Sequence, residues 1–220
     1  SPVSRLLKDK DVNVIIAASY AMGRLGSTEY FEVIRKALNS NDQTVKSNAA
    51  FLLGKMGDKS SLNLLKSVQE DENSSDKVRF QILEARARLG DEEVLQKLWA
   101  IVYSAFADDR ILGIRAISLL GTSKARDILV TKLDDNVLEV RLTTAGQLGK
   151  FNDRIGETEV LDVFDKNLTI GLDKEASERA NVLTALAIGQ ICSPALVKNL
   201  PQLLKNESKF VRIAAAKAVF

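Results

Sequence analysis

Histidine is absent from the 220 residues, and there is a single cysteine. The first absence removes the commonest general base and the commonest metal ligand. The second excludes an internal disulfide and leaves the redox compartment open. Proline occurs only three times, and aromatic residues make up 5%. No run of about 18 apolar residues is present, so no segment reads as a membrane span. Nor does one sign of charge prevail: 31 basic side chains stand against 29 acidic ones, a balance that argues against a dedicated nucleic-acid binder. The remainder, 45% hydrophobic and 27% charged, is the composition of a folded globular protein.

Sustained β-branched alternation is missing too. Apolar residues recur at i, i+3, i+4 and i+7 along almost the whole chain, which is the helical period. Breaks such as Asn39-Ser40-Asn41-Asp42, Asp71 to Asp76 and Asp134-Asp135-Asn136 interrupt this pattern. Their short side-chain oxygens can accept from backbone N–H groups left free in a helix's first turn. The spacing predicts short antiparallel helices and nothing else. Pro2 to Lys8 reads as the last turns of an amphipathic helix, and Val211 to Phe220 stops on an apolar residue without a cap or glycine stop. A fragment of a longer protein is therefore expected. The start at Ser1 shows no charged-then-apolar leader, and the compartment stays open, with cytoplasm as the default.

The chain repeats itself. Val14 to Gly26 and Val45 to Gly57 align in register, each with an Asp three residues upstream (Asp11, Asp42) and each closing on Gly, a basic residue, an apolar residue and Gly. Val78 to Gly90 is a third copy, and further copies anchor at Leu112, Val140, Ala180 and Val211, a period of roughly 33 residues. The anchor and the positions four and seven or eight beyond it make one apolar stripe, as in Val45, Ala49, Leu52 and Leu53. Small residues such as Ala18, Ala50, Ala145 and Ala216 permit close helix approach. Glycines eight or nine past the anchor (Gly23, Gly54, Gly121, Gly149, Gly189) cost about 1 kcal/mol each in a helix and so predict tight crossing by the next one. Gly26, Gly57 and Gly90 suit left-handed C-caps.

These residues resemble the HEAT-repeat family, especially the bacterial HEAT-like repeats of the phycobilisome-lyase type. The resemblance rests on Asp-x-x-Val-(Lys/Arg)-x-x-Ala-Ala-x-x-Leu-Gly, clearest from Asp42 to Gly54, and extends over essentially all 220 residues. Each copy is similar to the second helix of a HEAT pair, preceded by a first helix such as Tyr30 to Leu38, Leu62 to Val68 or Ala195 to Leu204, the last with Pro201 inside it. Ile15 and Gly113 replace the expected basic residue in the first and fourth copies, and the sixth matches least well. The resemblance implies an all-α fold, a right-handed α-α superhelix of the HEAT/armadillo type with about seven helix pairs, residues 1–220 forming one array. An irregular helical bundle is the alternative, disfavoured by seven copies in register.

The family contains enzymes. Its hydroxylase binds two irons through His-Glu pairs, which a chain without histidine does not supply. The DNA glycosylases of this architecture resemble a basic cleft furnished with aromatics and a catalytic Asp. Here Trp99 lies in the apolar run Leu95 to Val102 and reads as core, and Cys192, with no adjacent basic residue, reads as a buried small side chain. Glu92-Glu93, Asp108-Asp109 and Asp134-Asp135 stand where helices begin and read as caps rather than as carboxylate dyads or calcium sites. There is no phosphate-cradling glycine loop, ligand cluster or nucleophile elbow. No catalysis, cofactor or metal is expected.

What remains is a surface. In the family the second helices line the concave face, where positions +3, +6 and +10 from each anchor lie together. They are Ala17, Tyr20 and Arg24; Asn48, Phe51 and Lys55; Gln81, Glu84 and Arg88; then Thr143 and Lys150, and finally Leu183, Leu186 and Gln190. Aromatics at +6 (Tyr20, Phe51) and a basic row at +10 (Arg24, Lys55, Arg88, Lys150) suit a groove for a protein or peptide of acidic character. The bland reading is that Phe51 packs between helices and the cations offset helix C-terminal dipoles. Lys46, Arg79, Arg141 and Arg212, beside the anchors, resemble the family's ladder to loop aspartates. The expectation is a non-enzymatic scaffold binding a protein, with an accessory role in chromophore attachment or weak nucleic-acid binding along the basic row as alternatives.

Overall fold

The structure, a computed structural model, describes residues 2–219; Ser1 and Phe220, and the readings of the chain ends that rest on them, lie outside the described residues. Among the described residues the fold is all-α, a succession of seven helix pairs with no strand. The chain divides into two compact units, one up to Leu95 and one from Gln96 onward.

In the first unit the helices are α1 (Pro2–Leu6), α2 (Val12–Arg24), α3 (Phe31–Ala37), α4 (Gln43–Met56), α5 (Leu62–Glu70) and α6 (Asp76–Arg88). The even-numbered helices are the repeat's second helices, and α4 packs on both α2 and α6. The expected stripe is the core: Val45, Ala49 and Leu53 are buried together with Ile16, Ile34, Leu38, Leu65 and Ile82, with Leu52 half-buried beside them. Asp42 caps α4, accepting from the backbone N–H groups of Thr44 at 2.7 Å and Val45 at 3.3 Å. Gly57 ends it at φ +74°, a conformation in which a Cβ is unfavourable. At Gly54 the close approach is real: a Cβ there would stand 2.9 Å from the Ala85 Cα of α6.

In the second unit the pairs are α7 (Leu95–Val102) with α8 (Ala107–Ile117), α9 (Ser123–Val130) with α10 (Leu138–Gly149), and α11 (Glu157–Asp165) with α12 (Lys174–Ile191). α13 (Pro194–Val197) and α14 (Leu200–Leu204) precede α15 (Lys209–Val219). Leu98, Ile114, Leu129, Leu142, Leu148 and Ile188 are fully buried here. The expected first helix from Ala195 to Leu204 is broken in two, with Pro201 in the first turn of α14, where its missing N–H leaves no hydrogen bond unmade.

Here the fourth copy departs from the sequence register. Its buried residues are Arg110, Gly113, Ile114 and Ile117, which match Lys46, Ala49, Ala50 and Leu53 of α4. The anchor is therefore Asp109 rather than Leu112, and Arg110, not Gly113, takes the basic position. Gly121 accordingly is not a close-approach glycine but a left-handed cap at φ +67°. Two further expectations are corrected. Trp99 is 48% exposed, and Cys192 is exposed at φ +51° as the C-cap of α12. Both read as core in the sequence because apolar runs surround them, but each falls on a solvent-facing position of its element.

Ion pairs tie successive pairs together as the ladder requires. Lys46 reaches Asp71 at 3.3 Å, and Arg110 donates to Asp135 at 2.9 Å. Arg141 donates to the Asp135 carbonyl and the Glu159 carboxylate, whereas Arg79 and Arg212 bind carbonyls of the loops just before their own helices. On the first-helix side, Arg35 clamps Asp58 through Nε at 2.8 Å and Nη2 at 2.9 Å, and the Ser60 and Ser61 hydroxyls also donate to that carboxylate. Burial pushes the Asp58 carboxyl up, but these hydrogen bonds and the Arg35 charge together outweigh it and hold its pKa at about 2.

Candidate functional site

The second helices of the first unit carry eight of the nine candidate residues. Phe51 is exposed on α4, and the Lys55 ammonium lies 5.7 Å from its ring centroid, within cation–π range. Tyr20 is half-buried against the core, and Arg24 is exposed in the last turn of α2. The other four are engaged by neighbours. Asn48 donates to Asn13 Oδ1 at 2.9 Å, linking α4 to α2. Glu84 accepts from Arg88 at 2.8 Å and from Gln81 at 3.2 Å, one chain of hydrogen bonds along α6. Arg24 and Lys55 are exposed and form no ion pair among the described residues, whereas Arg88 is already paired with Glu84.

In the second unit, Lys150 donates to Gln147 at 2.7 Å. Thr143 is buried, and its hydroxyl has no hydrogen-bond partner among the described residues. Leu183 and Leu186 are half-buried on α12, and the Gln190 carboxamide fills the space that a side chain at Gly146 would occupy.

A cleft of about 770 Å³ opens on the second helices of this unit. Ile111 and Leu112 of α8 form one wall, Val182 and Leu183 of α12 the other, and Val137 and Glu139, at the start of α10, lie between them. With α8 in its corrected register, its residues fall level with those of α10 and α12. The positions before the anchors are Asp108, Glu139 and Arg179, and the +3 positions are Leu112, Thr143 and Leu183. At +6 stand Arg115, Gly146 and Leu186. From the middle helix only Val137 and Glu139, at its start, line the cleft, whereas Thr143 and Gly146 are buried beneath it, the latter against Ala187 and Gln190 of α12. Sequence reasoning named Leu183 for this face but missed Leu112 and Arg115, because the apparent fourth copy begins three residues late. The buried arginine of α8 was the available signal.

Other exposed aromatics cluster near α7. The Trp99 and Tyr103 rings lie 4.8 Å apart, Tyr103 shares a 2.8 Å hydrogen bond with the Thr131 hydroxyl, and the Lys132 ammonium sits 3.6 Å above the Tyr103 ring.

No group of three or more Cys, Asp or Glu side chains among the described residues is arranged to hold a metal ion, and histidine is absent from the sequence. A pair of irons held by His-Glu ligands does not fit this donor set. Among the described residues no helix is long and apolar enough to cross a membrane.

The family of HEAT repeats matches residues 31–111. A deoxyhypusine hydroxylase from Candida albicans is 28% identical over 217 residues, an alignment covering 84% of this chain and 67% of that protein. A deoxyhypusine hydroxylase from Danio rerio is 27% identical over 105 residues, covering 48% of the chain and 33% of the relative. Among solved structures, the complex of CpcE and CpcF of phycocyanin lyase from Nostoc sp. PCC7120 superposes with a TM-score of 0.55 at 19% identity, over 86% of this chain and 75% of that one. The expectation of a non-enzymatic scaffold is overturned by the two hydroxylases, since these curated relatives are enzymes. It rested on the repeat together with the missing histidine and other catalytic motifs, absences that speak to particular chemistries and not to every role in an enzyme.

Proposed function

HEAT repeats match residues 31–111 and the all-α fold continues beyond them, and on that premise we propose that the chain works as part of an enzyme acting on a protein, with its second helices holding the polypeptide. The observation that carries this reading is the similarity to a curated enzyme over 84% of the chain. Because the His-Glu donor set is missing, no oxidative step is assigned to these residues, and their part is to bind and orient the polypeptide. In the first unit Phe51 and Tyr20 supply apolar contact, while Arg24 and Lys55 supply open positive charge, so an acidic stretch of the partner lies against them. Asn48, Gln81, Glu84 and Arg88 hold the flanks of that face in place through the hydrogen bonds between them and to Asn13. Lys150 takes the equivalent basic position in the second unit.

Binding is read with a fluorescent polypeptide bearing deoxyhypusine, the group in the relatives' name, and with the same polypeptide lacking it. The double variant F51A/K55A is expected to bind about tenfold more weakly, equivalent to about 1.4 kcal/mol. Equal affinity for the unaltered chain and the double variant refutes the binding face, and no binding of either polypeptide refutes the partner class. The tagged chain, isolated with its native partners, should change the mass of the polypeptide; an unchanged mass refutes the enzymatic role.

A further inference from the structure

The cleft on α8, α10 and α12 has a layered chemistry. At its rim Asp108, Glu139 and Arg179 form a row across three neighbouring helices, and Arg179 is already drawn to Glu139 at 3.7 Å. Asp108 lies in the first turn of α8, where a carboxylate offsets the positive end of the helix. Next comes the apolar layer of Ile111, Leu112, Val182 and Leu183. Arg115 follows one turn along α8; it is exposed and makes no ion pair among the described residues. Three residues along a helix correspond to a rise of about 4.5 Å, so the apolar layer and the open guanidinium are adjacent.

One further observation marks this as a binding site: the volume of about 770 Å³ lies in the range of ligand pockets, and branched apolar side chains on α8 and α12 face each other across it, with charged side chains at either end.

We infer that this cleft takes a polypeptide segment presenting a large aliphatic side chain with a carboxylate one helical turn along, the aliphatic group between Leu112 and Leu183 and the carboxylate on Arg115. The inference rests on the reading that the partner is a polypeptide, and it adds a second, apolar contact on the other unit together with the side-chain types that fit there.

The test uses methyl NMR of the whole chain, titrated with the capped tetrapeptide acetyl-Leu-Gly-Gly-Glu-amide and with its Gln and Lys counterparts in place of Glu. The expected result is shifts confined to the Ile111, Leu112, Val182 and Leu183 methyls, with the Glu peptide binding up to about fivefold more tightly than the Gln peptide, as for an exposed ion pair. Arg115→Gln should abolish that preference while the shifts persist. Leu183→Asp should abolish the shifts, with the remaining spectrum reporting that the fold is intact. No shift at these methyls overturns the inference, as does equal or tighter binding of the Lys peptide, which would give the site to the acidic rim. F51A/K55A should leave this titration unchanged. Loss of the cleft result alone leaves the first-unit face standing, and loss of polypeptide binding with the cleft result intact removes the proposed function instead.

Discussion

Asp58→Asn tests how far the clamp between first helices stabilises the first unit. The carboxylate is buried and accepts from Arg35, Ser60 and Ser61. Its pKa falls from 3.8 to about 2 on folding. A tenfold change in proton affinity is equivalent to about 1.36 kcal/mol, so the charged form contributes about 2 kcal/mol. The sign follows from the depressed value: the contribution is complete above the unfolded pKa, near pH 5 and higher, and is lost as the pH falls through the folded value. Urea unfolding followed by circular dichroism should show the Asp58→Asn variant about 2 kcal/mol less stable at pH 7. The gap should narrow to roughly a few tenths of a kcal/mol by pH 2 as Asp58 in the unaltered chain protonates. A difference that stays constant from pH 7 to pH 2 would refute the electrostatic account and leave only lost packing.

Leu53→Ala removes a fully buried side chain from α4 and should destabilise the first unit by about 2–5 kcal/mol in the same unfolding assay. Gly54→Ala should also destabilise, by about 1–3 kcal/mol, although alanine is the better helix former, because its Cβ would press on the Ala85 backbone at 2.9 Å; a gain in stability would show that α4 and α6 separate freely. Cys192→Gly should stabilise by about 1 kcal/mol, since residue 192 adopts φ +51°. In the native chain the Cys192 thiol should react readily with a thiol-specific reagent, and reaction only on unfolding would show it to be buried.

The helical class, the period, the caps at Asp11 and Asp42 and the close approach at Gly54, Gly149 and Gly189 were all legible in the residues. Of the candidate face, the residue types at +6 and +10 were legible, but not which of them were free. Asn48 and Asn13 are 35 residues apart, and nothing local to either announces their hydrogen bond. The fourth copy misleads because Leu112 to Gly121 imitates the motif, with an apolar anchor and a glycine nine residues on. The true register shows only when Arg110 is seen buried and bound to Asp135. The enzymatic relationship was illegible for a different reason. A repeat frame serves several kinds of protein, and the residues that separate them need not be metal ligands.

By itself, then, the amino-acid order determined what depends on neighbours within a turn or two: helix period, end caps, and the glycines that admit a crossing helix. Tertiary structure alone decided the exposure of Trp99 and Cys192, the pairing of Arg88 and the openness of Arg24 and Arg115, and the cleft between α8 and α12. Those properties depend on what the adjacent helix presents at the same level. The cleft is bounded by side chains of α8 and α12 and by the start of α10, so its space is set by three helices together.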